Sequence, residues 1–345
     1  MLNFDVFNQD IFSAISMSRA VDKVDFVPDL LGSIEGLIVP EPVRTEAIWI
    51  EERNTGFTVL PFSPRGSAPH QTGGDKRKAR AFQTQRIADA SRITASELQN
   101  IRAFGSDTEL KQLMAEIDRR QAKIKQKFDL TWEHLRLGMV QGQVIDADGS
   151  VVYDWATEFG QTALVPAELA FNLSAANPAS GALKKLCNKI TRSITKNLKG
   201  AGKASRIVAI VGDDFWDALT THPEVEKTFA NWEAAASLRG QLSQPWSAPF
   251  RFGGIDWINY RNTDDGSSVA IAADKAKFFP VGAGIFRWAM SPGERFEQVN
   301  TLGQAVYSAI VLDKDRNTWA DVEMYSYPLP VCTMPSALAS GRAGA

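Results

Sequence analysis

One stretch, Ser106 to Gly138, limits the possible folds most, because it patterns as a single amphipathic helix. At 100° per residue one face collects Leu110, Leu113, Met114, Ile117, Ile124, Phe128, Trp132, Leu135 and Met139. The opposite face collects Gln112, Arg119, Lys123, Gln126 and Glu133. Ser106 and Glu109 have capping-box spacing, and Gly138 supplies a stop. About 30 residues at ~1.5 Å each make a rod about 45 Å long, so the expected shape is elongated. Leu130 and Leu137 fall on the polar side, so the C-terminal end should be covered all round. A coiled-coil dimer would need a 3.5-residue repeat and a second half; the stripe follows 3.6 and has no such half.

The length of 345 residues suggests about two domains. With 44% hydrophobic and 23% charged residues the chain can bury a real core. A net charge of −2 excludes a polyanion binder over the whole surface but leaves local patches open. Cys187 and Cys332 share no metal or C-x-x-C spacing, which points to a reducing compartment without disulfides. The opening Phe4-Asp5-Val6-Phe7 has no basic run, and no apolar run approaches the ~20 residues of a membrane span. A soluble cytoplasmic product with no membrane partner is expected.

Residues 1–44 place Phe4, Phe7, Ile11, Phe12 and Ile15 at helical spacing, then Pro28, Gly32, Gly36, Pro40 and Pro42 impose an extended arm. The arm packs on its own domain or on a neighbour. Residues 45–93 read as an extended β-hairpin loop, Ala47–Ile50 with Phe57–Leu60, turning at Asn54–Gly56. Arg65 and then Lys76, Arg77, Lys78, Arg80, Arg86 and Arg92 follow. This basic run lacks the interleaved aromatics of a nucleic-acid surface, apart from Phe82, so a solvated or subunit-bridging face is the better reading. A long hairpin alone in water is marginal and needs a surface to lie on. Residues 94–159 hold a second capping box, Thr94 to Glu97, opening a short helix that ends at Gly105. The rod follows, and then a hairpin around Asp146–Ser150.

Residues 160–300 form an expected α/β unit. Asn177-Pro178 opens a helix bearing Leu183, Leu186, Cys187, Ile190 and Ile194, with Cys187 in the core. A strand Ile207–Val211 leads through Gly212 to a helix with Phe215, Trp216 and Leu219, which Asp213-Asp214 would cap. A helix with Val225, Phe229 and Trp232 comes next, then strands Ile255–Tyr260 and Val269–Ala272 joined by a turn. Residues 301–345 hold a hairpin, Val306–Leu312 with Trp319–Tyr325, followed by Pro328, Pro330 and Pro335.

Motifs for chemistry are scarce. His70, His134 and His222 lie in unrelated settings, and neither G-x-S-x-G nor H-E-x-x-H occurs. Gly200-Ala-Gly202-Lys203 precedes a strand instead of following one and lacks the rest of a phosphate loop. Asp146-x-Asp148-Gly149 has its glycine at the wrong place for a calcium loop. No catalytic residue, cofactor or metal ligand is assigned.

The order of arm, hairpin loop, rod, α/β lobe and returning hairpin resembles the major capsid protein of tailed phages. Within that group it is similar to the lambda-like major head protein family, with the Hong Kong 97 fold of class α+β. Early marks are Phe4 and Phe7, then Arg65-Gly66, then Phe104-Gly105. In the middle stand Gly142, Asp148-Gly149, Phe159-Gly160, Val211-Gly212, Phe215, Leu219 and His222-Pro223-Glu224-Val225. The most specific marks close the chain: Phe279-Pro280-x-Gly282, Pro292, Glu297-x-Val299-Asn300-Thr301-x-Gly303, Tyr307, Pro328-Leu329-Pro330 and Pro335.

The resemblance implies a peripheral domain on the rod, an axial domain over 160–300 and a C-terminal return to the peripheral domain. It implies pentamers and hexamers closing into an icosahedral head around double-stranded DNA held by non-specific contacts. Scaffolding, portal and decoration proteins are the implied partners, and the virion is the implied location. Phe4, Phe7, Ile11, Arg65, Lys76, Arg77, Lys78 and Arg80 are expected to meet neighbouring subunits. The alternatives are another virion component, of tail or decoration, or a cytoplasmic α/β enzyme.

Overall fold

The computed structural model describes residues 26–54, 76–94, 97, 106–161, 168–175, 181–198, 202–226, 249–263, 269–313, 315–316 and 318–344, less the side chains of 52–54, 76–78, 106–116 and 312. Phe4, Phe7, Ile11, Arg65, Phe57–Leu60, the helix expected at 97–105 (Glu97 apart) and the segment with Phe229 and Trp232 lie outside the described residues.

In chain order the elements begin α1 (Leu30–Ser33), β1 (Ile38–Pro42), β2 (Ala47–Asn54), β3 (Lys76–Gln83), β4 (Ile87–Thr94) and α2 (Ser106–Val140). The middle holds β5 (Gln143–Ile145), β6 (Val151–Asp154), α3 (Trp155–Glu158), β7 (Leu169–Ala170), α4 (Ala182–Asn197), β8 (Arg206–Val211), α5 (Asp213–Thr220), β9 (Phe250–Phe252) and β10 (Ile255–Asn259). The chain ends with β11 (Lys275–Val281), β12 (Phe286–Met290), β13 (Tyr307–Leu312), β14 (Trp319–Ser326), β15 (Pro328–Cys332) and β16 (Ala339–Arg342).

The long helix is present, and it runs past its expected stop to Val140. Gly138 serves a close approach instead, because a Cβ there would lie 3.0 Å from the Gln143 carbonyl oxygen. The stop is Gly142, at φ +80°, a left-handed conformation that glycine adopts without strain. Ile124, Phe128, Trp132, Leu135 and Met139 are buried as the stripe requires, and Leu137 and Val140 make the last turns buried all round.

Sheet β13–β14–β4 packs on α2. The hairpin β13–β14 is in register Tyr307↔Tyr325 through Leu312↔Ala320. A second sheet, β1–β12–β15, has Pro328 and Pro330 in its edge strand. The Pro328 carbonyl accepts from the Gln85 N–H (3.1 Å), away from β12, so both prolines sit where the ladder asks for no donor.

The lobe is a six-stranded sheet in the order β7–β16–β11–β8–β10–β9. Its central strand β8 alternates between two cores. Ile207, Ala209 and Val211 face α4 and α5, among Cys187, Ile190, Phe215, Trp257 and Phe278. Val208 and Ile210 face the core shared with α2. Burial on both faces explains the unbroken apolar run. Ala339–Arg342 of the last segment enters this sheet as β16, while β14 pairs with β4 and β15 with β12.

Three local expectations change, and β2 has a partner that was not expected. β2 pairs with β3, Ile48 opposite Phe82, and its expected partner Phe57–Leu60 lies outside the described residues. The helix expected from Pro178 begins at Ala182, after Gly181 in the left-handed region. Val269–Ala272 is no strand; it continues into a turn whose Ala273 carbonyl takes the Phe215 N–H (2.8 Å) at the start of α5. That contact replaces the expected side-chain cap, and Asp213 and Asp214 lie within the first turn, where their charge suits the helix dipole.

Candidate intersubunit surface

The residues considered for chemistry lie apart and in structural settings. Burial pushes the thiols of Cys187 and Cys332 up to about 12, which keeps them protonated and unreactive. His222 is buried and its Nδ1 accepts the Glu224 N–H (3.2 Å), while His134 lies beside the Asp146 carbonyl (3.3 Å). Among the described residues no three acids, histidines or cysteines gather as a metal site. The Asp146 and Asp148 carboxylates accept hydrogen bonds from their own turn, from the Ala147 and Ser150 N–H groups. Gly202 allows close backbone packing, since a Cβ would lie 2.4 Å from the Ala283 oxygen. A cleft of about 250 Å³ between the end of α2 and the lobe is lined by Gln141, Asp154, Lys277, Leu338 and Ser340. Burial holds Lys277 below the usual lysine range.

The ribbon β2–β3 has two unlike faces. Ile48, Ile50 and Phe82 are buried. The Phe82 ring meets Tyr153, Trp155 and Phe159 edge-on, with centroids 5.6, 5.1 and 5.9 Å away. On the other face Trp49 is 66% exposed, opposite the exposed Ala81. Three arginines of the basic run are answered within the chain. Arg80 pairs with Glu158 (3.7 Å), Arg86 with Glu294 (3.2 Å) and Arg92 with Asp321 (2.8 Å). Lys76, Arg77 and Lys78 lie at the start of β3.

The sequence placed Glu133 on the polar face of the rod, yet it is 0% exposed. One oxygen accepts from the Leu31 N–H (2.8 Å) and the Tyr260 hydroxyl (3.3 Å). The other meets the Arg136 guanidinium (3.2 Å), which also reaches Asp29 (2.8 Å) and lies over the Trp288 ring at 5.6 Å. Burial outweighs these partners and pushes the Glu133 carboxyl above its usual range. The knot ties the segment before β1, the rod and the lobe together. Leu130 and Leu137 on the polar side were the sequence signal: a carboxylate among all-round burial needs partners.

Comparison with known proteins identifies the family. A family described as Phage major capsid protein E matches residues 13–343. The chain belongs to that family. It is 24% identical, over 96% of this chain and 97% of the relative, to the major capsid protein of Salmonella phage Felix O1 (isolate Felix O1-VT1). It is 25% identical, over 92% and 93%, to that of Pseudomonas phage KPP10. Among solved structures, the capsid of an empty GTA particle is similar in fold, with a TM-score of 0.50 at 11% identity over 94% of both chains. The capsid of the native GTA particle gives 0.50 at 10%, over 93% and 92%.

The fold is therefore that of phage capsid proteins, the Hong Kong 97 type, and the chain is a virion structural protein. Several residues that suggested the family have structural reasons. In His222-Pro223-Glu224-Val225, the Glu224 carboxylate accepts the Leu183 and Lys184 N–H groups at the start of α4, both at 3.4 Å. Asn300 is left-handed (φ +61°). A Cβ on Gly303 would lie 2.0 Å from the Met290 oxygen, so only glycine fits there.

Proposed function

We propose that copies of this major capsid protein associate as pentamers and hexamers and close into an icosahedral head around packaged double-stranded DNA. Assembly takes place in the host cytoplasm, guided by a scaffolding protein around a portal, and a decoration protein secures the finished shell. The chain acts without catalysis. The observation that carries this reading is a ribbon with one face filled by its own chain and the other presenting Trp49 to solvent, in a chain matched by the capsid family over nearly its whole length. Lys76, Arg77 and Lys78 meet acidic surface on the adjacent copy, and Arg65, Phe4, Phe7 and Ile11 also serve contacts between copies. Arg80, paired with Glu158, holds the ribbon to its own body.

Many modest contacts suit a shell, because misplaced subunits can detach and rebind. A net charge of −2 limits repulsion between crowded copies and keeps the contact with DNA weak and non-specific. Negative-stain microscopy of the purified chain, with and without scaffold, is expected to show capsomers or closed particles. Persistent monomers would overturn the reading, and fibres or tubes would assign the chain to a tail. Reversing the charges of Lys76, Arg77 and Lys78 should lower particle yield at physiological salt, and an unchanged yield would remove them from the interface.

A further inference from the structure

The loop between β12 and β13 combines a fixed backbone with an apolar surface. The loop is tied by side chains at its start and by its backbone further on. Glu294 pairs with Arg86 (3.2 Å) and Arg295 with Glu323 (3.7 Å). The Asn300 carbonyl accepts from Arg44 (3.1 Å), and the Gly303 N–H donates to the Val43 carbonyl (2.9 Å). Gln298 and Thr301 close its inner turns with backbone hydrogen bonds of 2.8 and 3.2 Å. Yet Phe296 is 99% exposed, Val299 57% and Leu302 50%. Three large apolar side chains at a spacing of three, on a backbone already held, form a preorganised anchor that loses little entropy on docking.

We infer that this loop is an adhesive point between copies of the chain, with Phe296 seated against a second copy. The inference rests on the shell reading, and two further features choose the partner. A single aromatic buries about 150–250 Å², far below the ~800 Å² per partner of a stable isolated pair, so the anchor suits a contact repeated alongside others. The charges around Phe296 also leave one carboxylate open to a cation from outside the subunit. Glu294 and Arg295 are answered within the chain, whereas Glu297 has no ion pair among the described residues, so a cation of the next copy fits beside it.

The test uses the full chain with Phe296→Cys. Its two native cysteines are buried and protonated, so a maleimide reads the new thiol. Labelling is expected to be fast in free subunits and slower by about tenfold or more in assembled particles. A folded variant that no longer assembles also supports the anchor, and Leu302→Cys then supplies the protection measurement. Equal labelling in subunits and particles overturns the inference. Protection that needs a different virion protein overturns the second copy as occupant. Wild-type chain that forms no particles sinks the shell reading and the partner with it.

Discussion

The lobe and the ribbon are both β-structure, but they complete themselves differently. Strand β8 is apolar at five consecutive positions and is covered on both faces by its own chain, by α4 and α5 on one side and the α2 core on the other. Strand β2 alternates: Ile48 and Ile50 point inward and Trp49 outward, where none of the described residues covers it. A continuous run signals a strand finished within the subunit. An alternating strand with tryptophan on its outer face signals one finished by something else.

The comparison is broken most directly in the lobe. Phe278 is fully buried, stacked on Phe171 at 5.8 Å and edge-on to Trp257 at 5.4 Å. Phe278→Ala should cost about 3–5 kcal/mol, read as a lower urea midpoint. A loss under about 1 kcal/mol would mean that the lobe core is looser than its packing indicates.

A smaller loss is expected where lobe and rod join. Arg136→Ala removes the cationic partner of buried Glu133 and should cost about 3 kcal/mol. The cost stays at the low end because Glu133 keeps the Leu31 and Tyr260 donors and can take up a proton. A loss below about 1 kcal/mol would show that those donors suffice alone.

The pH dependence at this joint has a definite sign. Burial raises the folded carboxyl above its unfolded value, so the folded state holds a proton more tightly than the unfolded chain. Stability from this group is present below the ordinary carboxylate pKa and is lost as pH rises through the raised folded value. Asp313 and Asp321 are shifted down and act in the opposite direction, so only a difference isolates Glu133. Compared with Glu133→Gln, the wild-type chain should lose more stability between pH 5 and pH 7.5. A relative gain over that range would show that the hydrogen bonds, and not burial, dominate.

The rod, the β13–β14 hairpin and the helix faces of the lobe were legible because local periodicity settles them. Thr94 and Glu97 also form their capping box, with reciprocal bonds of 3.5 and 3.4 Å. Pairings over long sequence separations were not legible. Nothing local announces that Ile38 lies beside Phe286, or that Ser340 enters the lobe sheet opposite Lys277. Glycines misled where their reason was close approach, as at Gly138, because sequence does not show what passes nearby. The family resemblance gave the fold class, but it said nothing of Glu133 or Phe296, whose roles depend on neighbours far along the chain.

The smallest effect on stability is expected at Trp49, and it tests the comparison most sharply. Trp49→Ser removes a largely exposed ring and should change the unfolding free energy by less than about 0.5 kcal/mol. If the outer face is finished by another copy, the same variant should nevertheless lower particle yield, because aromatic anchors carry a large share of interface energy. Phe278→Ala should do the reverse: unstable subunits, with particles of normal form from those that remain folded. A Trp49 variant that matches the wild type in both stability and assembly would leave the ribbon's outer face solvated and end the distinction between the two kinds of strand.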